Sequence, residues 1–152
     1  MTHPEERLAE LGLAVPEVAK PVAAYVPAVR SGNFVFTSGQ LPMRSGELMQ
    51  TGKVGGDVSP AEAVECAQQC ALNAIAAVKA ELGDLGKVKR IVKVVAFVAS
   101  TPDFTGQPQV ANGASELFGS VFADAGIHAR SAVGVPVLPL DAPVEVELVV
   151  EF

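Results

Sequence analysis

At 152 residues the chain has room for one domain with a proper hydrophobic core and little left for a second. A composition 49% hydrophobic and 18% charged argues against disorder and points to buried surface beyond a single core. The net charge of −6, from 17 acidic against 11 basic residues, argues against general nucleic-acid binding. No apolar run reaches the roughly 18 residues of a membrane span. The first residues, with Glu5, Glu6 and Arg7, lack a basic-then-apolar leader pattern, so the expected compartment is the cytoplasm.

In chain order, Pro4 to Leu11 reads as a short amphipathic helix with Leu8 and Leu11 on one edge, ending at Gly12. Pro16 to Pro21 is expected to be an irregular crossing segment leading to Tyr25 and Val26. The β-branched and aromatic run Phe34-Val35-Phe36-Thr37-Ser38 predicts a strand, stopped by Gly39 with Pro42 close behind. A weaker strand from Glu47 to Thr51 follows the Ser45-Gly46 turn and is expected to complete a hairpin. Gly52-Lys53-Val54-Gly55-Gly56 lacks the Walker spacing and reads as a loop, not a phosphate cradle.

Ser59-Pro60-Ala61-Glu62 carries a capping box and opens the clearest helix. Its apolar stripe is Val64, Ala67, Ala71, Ile75, Val78 and Leu82, and Gly83 suits a left-handed stop. Cys66 and Cys70 lie on this helix; without further ligands nearby in sequence they read as small buried side chains, not a zinc pair or a disulfide. Lys87, Lys89, Arg90 and Lys93 form a basic cluster that reads as solvated.

Ile91 to Ala99, apolar except for Lys93, fits a central strand buried on both faces. A second helix is predicted over Pro108 to Ala125, where Gly113 and Gly119 imply close packing. Two strands follow: Ser131 to Leu138, with Val133, Val135 and Val137 on one face, and Val144 to Phe152, with Glu145, Glu147 and Glu151 opposite the apolar side. The predicted order is ββαβαββ. Two helices suffice to cover one face of such a sheet, and the remaining apolar face asks for a symmetric oligomer.

Candidates for chemistry are few. His128 is an isolated histidine that could serve as a base. Arg130 opens an apolar strand, where a guanidinium either clamps an anion or pairs with a neighbouring Glu at an exposed strand end. Glu145 belongs either to a solvated edge or to a cleft wall. If the last two strands paired as a tight hairpin, Arg130 and Glu145 would not stand opposite one another.

Three segments resemble the RidA (YjgF) family: Tyr25-Val26, Thr37-Ser38-Gly39-Gln40-Leu41-Pro42, and His128-Ala129-Arg130-Ser131-Ala132-Val133 with Leu138-Pro139 and Val144-Glu145-Val146-Glu147. The resemblance covers about residues 20 to 152, leaving residues 1–20 as an N-terminal extension with a short helix on a single domain of 1–152. It implies an α+β, chorismate-mutase-like fold, a mixed sheet with two helices on one face, assembled as a homotrimeric barrel with clefts between subunits. It also implies hydrolysis of 2-imino acids, or their enamine tautomers, to 2-keto acids and ammonia. Arg130 would hold the substrate carboxylate and Glu145 would orient the attacking water. Tyr25, Ser38, Gly39 and the Ala132 backbone would line the cleft. No metal or organic cofactor is implied, and the partner is a small imino or keto acid rather than a membrane or nucleic acid. Alternatives are a non-catalytic keto-acid binder or regulator using the same cleft and, third, an endoribonuclease. Ala132 stands where the best-studied branch has cysteine, and Asn112-Gly113-Ala114-Ser115 also departs from it, which marks a divergent subgroup.

Overall fold

A computed structural model of the chain describes residues 2–19 and 24–152. The expected crossing segment Pro16 to Pro21 lies partly outside these residues. The longest element, helix α2 (Pro60–Leu82), forms where the capping signal is strongest. The Ser59 hydroxyl accepts from the Glu62 amide, and the Glu62 carboxylate accepts from the Ser59 amide, each at 3.1 Å. Gly83 ends the helix with φ +79°, a conformation that costs glycine little. The thiols of Cys66 and Cys70 are free and buried, and Cys70 donates to the Val144 carbonyl at 3.6 Å. Burial pushes Cys66 up to about 11 and Cys70 up as well, so both are inert apolar side chains, as their spacing on the helix predicts.

Helix α3 (Gln107–Phe122) packs beside α2. A Cβ on Gly113 would stand 3.1 Å from the Val64 carbonyl carbon, so the helices can approach this closely only with glycine there. Gly119 has open space around it, and the close-packing explanation fails for that residue. The helix also stops short of Ala125: Ala123 takes a positive φ and residues Ala123–Gly126 form a 3-10 turn. A third helix, α1 (Pro4–Glu10), docks on the outside of this layer through buried Leu8, a Glu5–Lys79 ion pair and a His3–Asp84 contact of 2.8 Å.

Both long helices cover one face of a five-stranded mixed sheet made of β1 (Ala28–Ser31), β2 (Phe34–Thr37), β5 (Arg90–Ala99), β6 (Ala129–Val135) and β7 (Val144–Glu151). Its order is β1-β2-β7-β5-β6, with β5 and β6 parallel and the other pairs antiparallel. Strands β3 (Met43–Arg44) and β4 (Glu47–Leu48) form a separate ribbon. Two sequence expectations are thereby corrected. The sheet's hairpin is β1–β2, turned through Gly32 at φ +58°, while Glu47-Leu48 pairs with Met43-Arg44 and not with the Phe34 strand. The last two strands are not a hairpin either, because β5 lies between them. Pro136, Pro139 and Pro143 in the connection have no amide hydrogens for a tight ladder, and β6 is instead reached from β5 through the α3 crossover.

Alternation sorts the sheet into two sides. Val35, Val94, Ala96, Val98, Val144, Val146, Leu148 and Val150 point under the helices and are buried, with Phe118 and Ile75 packed above. Val29, Phe34, Phe36, Val95, Phe97, Val133 and Val149 point the other way, together with Lys93, Glu145, Glu147 and Glu151. The expectation that Ile91 to Ala99 is buried on both faces therefore holds for only one face within the chain; Val95 and Phe97 are half-buried. At one end a small cluster of Ala99, Leu138 and Ala142 folds over this open side.

The β3–β4 ribbon is fastened to α2 by two buried side chains, Asn73 and Gln69. The Asn73 carboxamide donates to the Leu41 and Met43 carbonyls, both at 3.0 Å, and accepts from Gln69 at 3.1 Å. Gln69 in turn accepts from Arg44 Nε at 3.3 Å.

Candidate functional site

Arg130 lies on β6 beside Val94 of β5, and parallel partners project to the same side, so its side chain faces α3. There Nη1 donates to Asn112 Oδ1 at 2.7 Å and to Ser115 Oγ at 3.2 Å. Asn112 and Ser115 are three apart on α3 and therefore share a helix face. Two residues along β6, Ala132 also faces the helices and packs on the core. The valine face of this strand, with Val133, is the open one.

Glu145 lies on β7 opposite Phe97, hence on the open side of the sheet. Its carboxyl is held above the ordinary 4.5, first by burial and then by repulsion from Glu147 two residues away. Gly39 is what lets the carboxyl sit there: a Cβ at residue 39 would be 2.7 Å from the Glu145 carboxyl carbon. Beside it the Gln40 amide donates to the Val146 carbonyl at 2.8 Å, extending β2 along β7. The Ser38 hydroxyl donates to the Val26 carbonyl at 2.6 Å and fixes the segment that carries half-exposed Tyr25. Tyr25 and Gly39 open on a cleft of about 1050 Å³ whose other walls include Gln40, Arg44, Asn73 and Leu140.

The six expected site residues thus fall into two groups. Tyr25, Ser38, Gly39 and Glu145 gather at one end of β2 and β7, with Gly39 and Glu145 in direct contact. Arg130 and Ala132 belong to the sheet edge under α3. Arg130 pairs with Val94 and Glu145 with Phe97, so two strand spacings and three residues separate them, about 14 Å between Cα atoms. Their side chains also point to opposite faces. A single chain does not bring them together.

Sequence reasoning missed the partners of Arg130. His128, considered alone, is tied to Ser115 Oγ at 2.9 Å through Nε2 and to the Gly126 carbonyl at 2.6 Å through Nδ1. The i, i+3 spacing of Asn112 and Ser115 on a helix preceding the arginine strand was the available signal. Arg44, within the cleft, gave none.

Residues 5–152 match the family model described as "YjgF/chorismate_mutase-like, putative endoribonuclease". Protein TCP17 of Trypanosoma cruzi is 46% identical over 146 residues, which is 95% of this chain and 91% of that protein. The crystal structure of Atu1372 from Agrobacterium tumefaciens, a protein of unknown function, is 49% identical with a TM-score of 0.91, covering 98% of this chain and 92% of that one. E. coli TdcF, solved with bound serine, is 25% identical with a TM-score of 0.68, covering 90% and 94%. The mixed α+β fold built above is the one these proteins share, and the chain belongs to the YjgF/RidA family.

Proposed function

We propose that the chain is an imine/enamine deaminase that works as a homotrimer, with each active cleft formed between two subunits. The observation that carries this reading is the division of the site. The guanidinium suited to a carboxylate and the carboxyl suited to a base stand on opposite faces of one sheet, at different ends. The Arg130 edge of one copy and the Glu145–Gly39 corner of the next would supply both to one ligand. The open sheet side, with Val29 49%, Phe36 43% and Val133 43% exposed, is the apolar surface such an assembly would bury.

In this site Arg130 binds the carboxylate of a 2-imino acid through paired charge-assisted hydrogen bonds. Water adds to the carbon of the protonated imine as Glu145 takes one of its protons, leaving a neutral carbinolamine. Glu145 returns that proton to the nitrogen; the C–N bond then breaks as the hydroxyl oxygen forms the carbonyl, and the hydroxyl proton goes to the departing ammonia, giving the 2-keto acid and ammonium. A carboxyl held above its ordinary value is better matched to this proton traffic than a solvated one. No metal or organic cofactor enters these steps.

The test is ammonia or semicarbazone formation from 2-iminobutyrate, generated in place by an amino-acid oxidase. The wild type should accelerate it, and Arg130→Ala should lose at least about a hundredfold. Mixing unfolded Arg130→Ala and Glu145→Ala chains and refolding them together should recover roughly a quarter of the wild-type clefts. Full turnover by Arg130→Ala would sink the assignment, and failure of the mixture to recover would sink the shared cleft. A second reading, a non-catalytic binder of small carboxylates, takes support from the serine bound to TdcF; it expects Arg130-dependent binding without turnover. An endoribonuclease, the activity in the family's description, is disfavoured by the net charge of −6.

A further inference from the structure

With a neutral His128 ring, the hydrogen bonds around Arg130 form a chain with one consistent set of proton positions. His128 Nδ1 lies 2.6 Å from the Gly126 carbonyl oxygen, which can only accept, so Nδ1 carries the proton. Nε2 of the neutral ring is then an acceptor, and the Ser115 hydroxyl 2.9 Å away donates to it. With its proton committed to His128, the Ser115 oxygen turns its lone pairs to Arg130 Nη1 at 3.2 Å. The second hydrogen of Nη1 goes to Asn112 Oδ1 at 2.7 Å. Phe118 holds the imidazole edge-on, with ring centroids 5.9 Å apart and planes at 88°.

Both hydrogens of Nη1 are thereby used inside the chain. Among the described residues Arg130 donates from no other nitrogen. What is left is the Nε–Nη2 edge, whose two parallel N–H bonds match the two oxygens of a carboxylate. We propose that Ser115 and His128 are positioning residues: they fix the Arg130 guanidinium from behind, so that its Nε–Nη2 edge is presented to the ligand carboxylate. This deepens the cleft reading above and rests on it for the identity of the ligand. The arrangement also accounts for an otherwise unemployed histidine, since its role is to hold one lone pair at a fixed point.

The experiment has two arms. The first needs no ligand: nitrogen-15 NMR of the free protein reads the His128 tautomer and the exchange rate of the Arg130 Nε–H. The Nδ1–H tautomer is expected, and Ser115→Ala should speed the Nε–H exchange; the Nε2–H tautomer, or unchanged exchange in Ser115→Ala, overturns the relay. The second arm titrates 2-ketobutyrate, the product of 2-iminobutyrate, by calorimetry and repeats the turnover assay. Ser115→Ala should weaken binding by about tenfold, the scale of one net hydrogen bond, and raise KM with kcat little changed. Ser115→Thr, which keeps the hydroxyl, should restore both and shows that the loss is not one of folding. If Arg130→Ala abolishes binding while Ser115→Ala binds as the wild type does, the clamp stands and the positioning role is overturned. If Arg130→Ala itself binds unchanged, the clamp fails, and the first arm still decides the relay.

Discussion

The two faces of the sheet carry much the same kinds of side chain and meet different fates. Leu148 and Val149 are neighbours on β7, yet Leu148 is 2% exposed under the helices while Val149 joins the half-covered side. The helix side is closed by this chain alone, with α2 and α3 brought together at Gly113. The open side mixes Phe34 and Phe36 with Lys93, Glu147 and Glu151, and among the described residues the Leu138–Ala142 cluster shields one end. One face reports on the stability of the fold, and the other on what the fold is built to meet.

The sharpest way to test that division is to truncate each side. Leu148→Ala should cost about 2–5 kcal/mol in chemical denaturation, because it opens a cavity beneath two packed helices. Phe36→Glu should change the stability of an isolated chain by less than about 1 kcal/mol, since the ring is already 43% exposed. In the proposed trimer the same substitution should shift the sedimentation profile to monomer; a wild type that sediments as a monomer at every concentration would break the comparison.

The smallest effect belongs to Glu145. Its raised proton affinity means that the folded chain keeps a proton the unfolded chain has lost, so its contribution lowers stability as pH rises through the window above 4.5. Glu145→Gln should therefore be more stable than the wild type at neutral pH, by no more than about 0.5 kcal/mol for a half-exposed group. The gain should vanish below about pH 4, where both states are protonated; thermal melts across that range would show it, and a loss of stability at neutral pH would contradict it.

Local signals were legible in the sequence where one residue type enforces one geometry. The Ser59–Glu62 capping box and the Gly83 stop appear as read, as does the alternation of Val144, Val146, Leu148 and Val150. Pairing was less legible. The four-residue strand Ala28–Ser31 follows Pro27 and has only one buried position, too little for a period-two pattern to stand out. On β6 Val133 and Val135 share the side of Ser131, which makes that side look like the core face; the parallel register with β5 instead turns Arg130, Ala132 and Gly134 toward the helices. The candidate site suffered most, because its halves are assembled from strands whose order is non-local: even a hairpin would have left Arg130 and Glu145 out of register, and β5 between their strands sets them further apart.

Asn73 has a consequence for the cleft. Its single carboxamide bridges helix and ribbon, giving both hydrogens to the Leu41 and Met43 carbonyls. An aspartate there would set acceptor against acceptor in a buried place, so Asn73→Asp should loosen the ribbon from the helix while leaving the ladder of the sheet intact. The wall beside Tyr25 and Arg44 thus hangs on a polar latch, while the sheet beneath the helices rests on an apolar core, and the two can be perturbed separately.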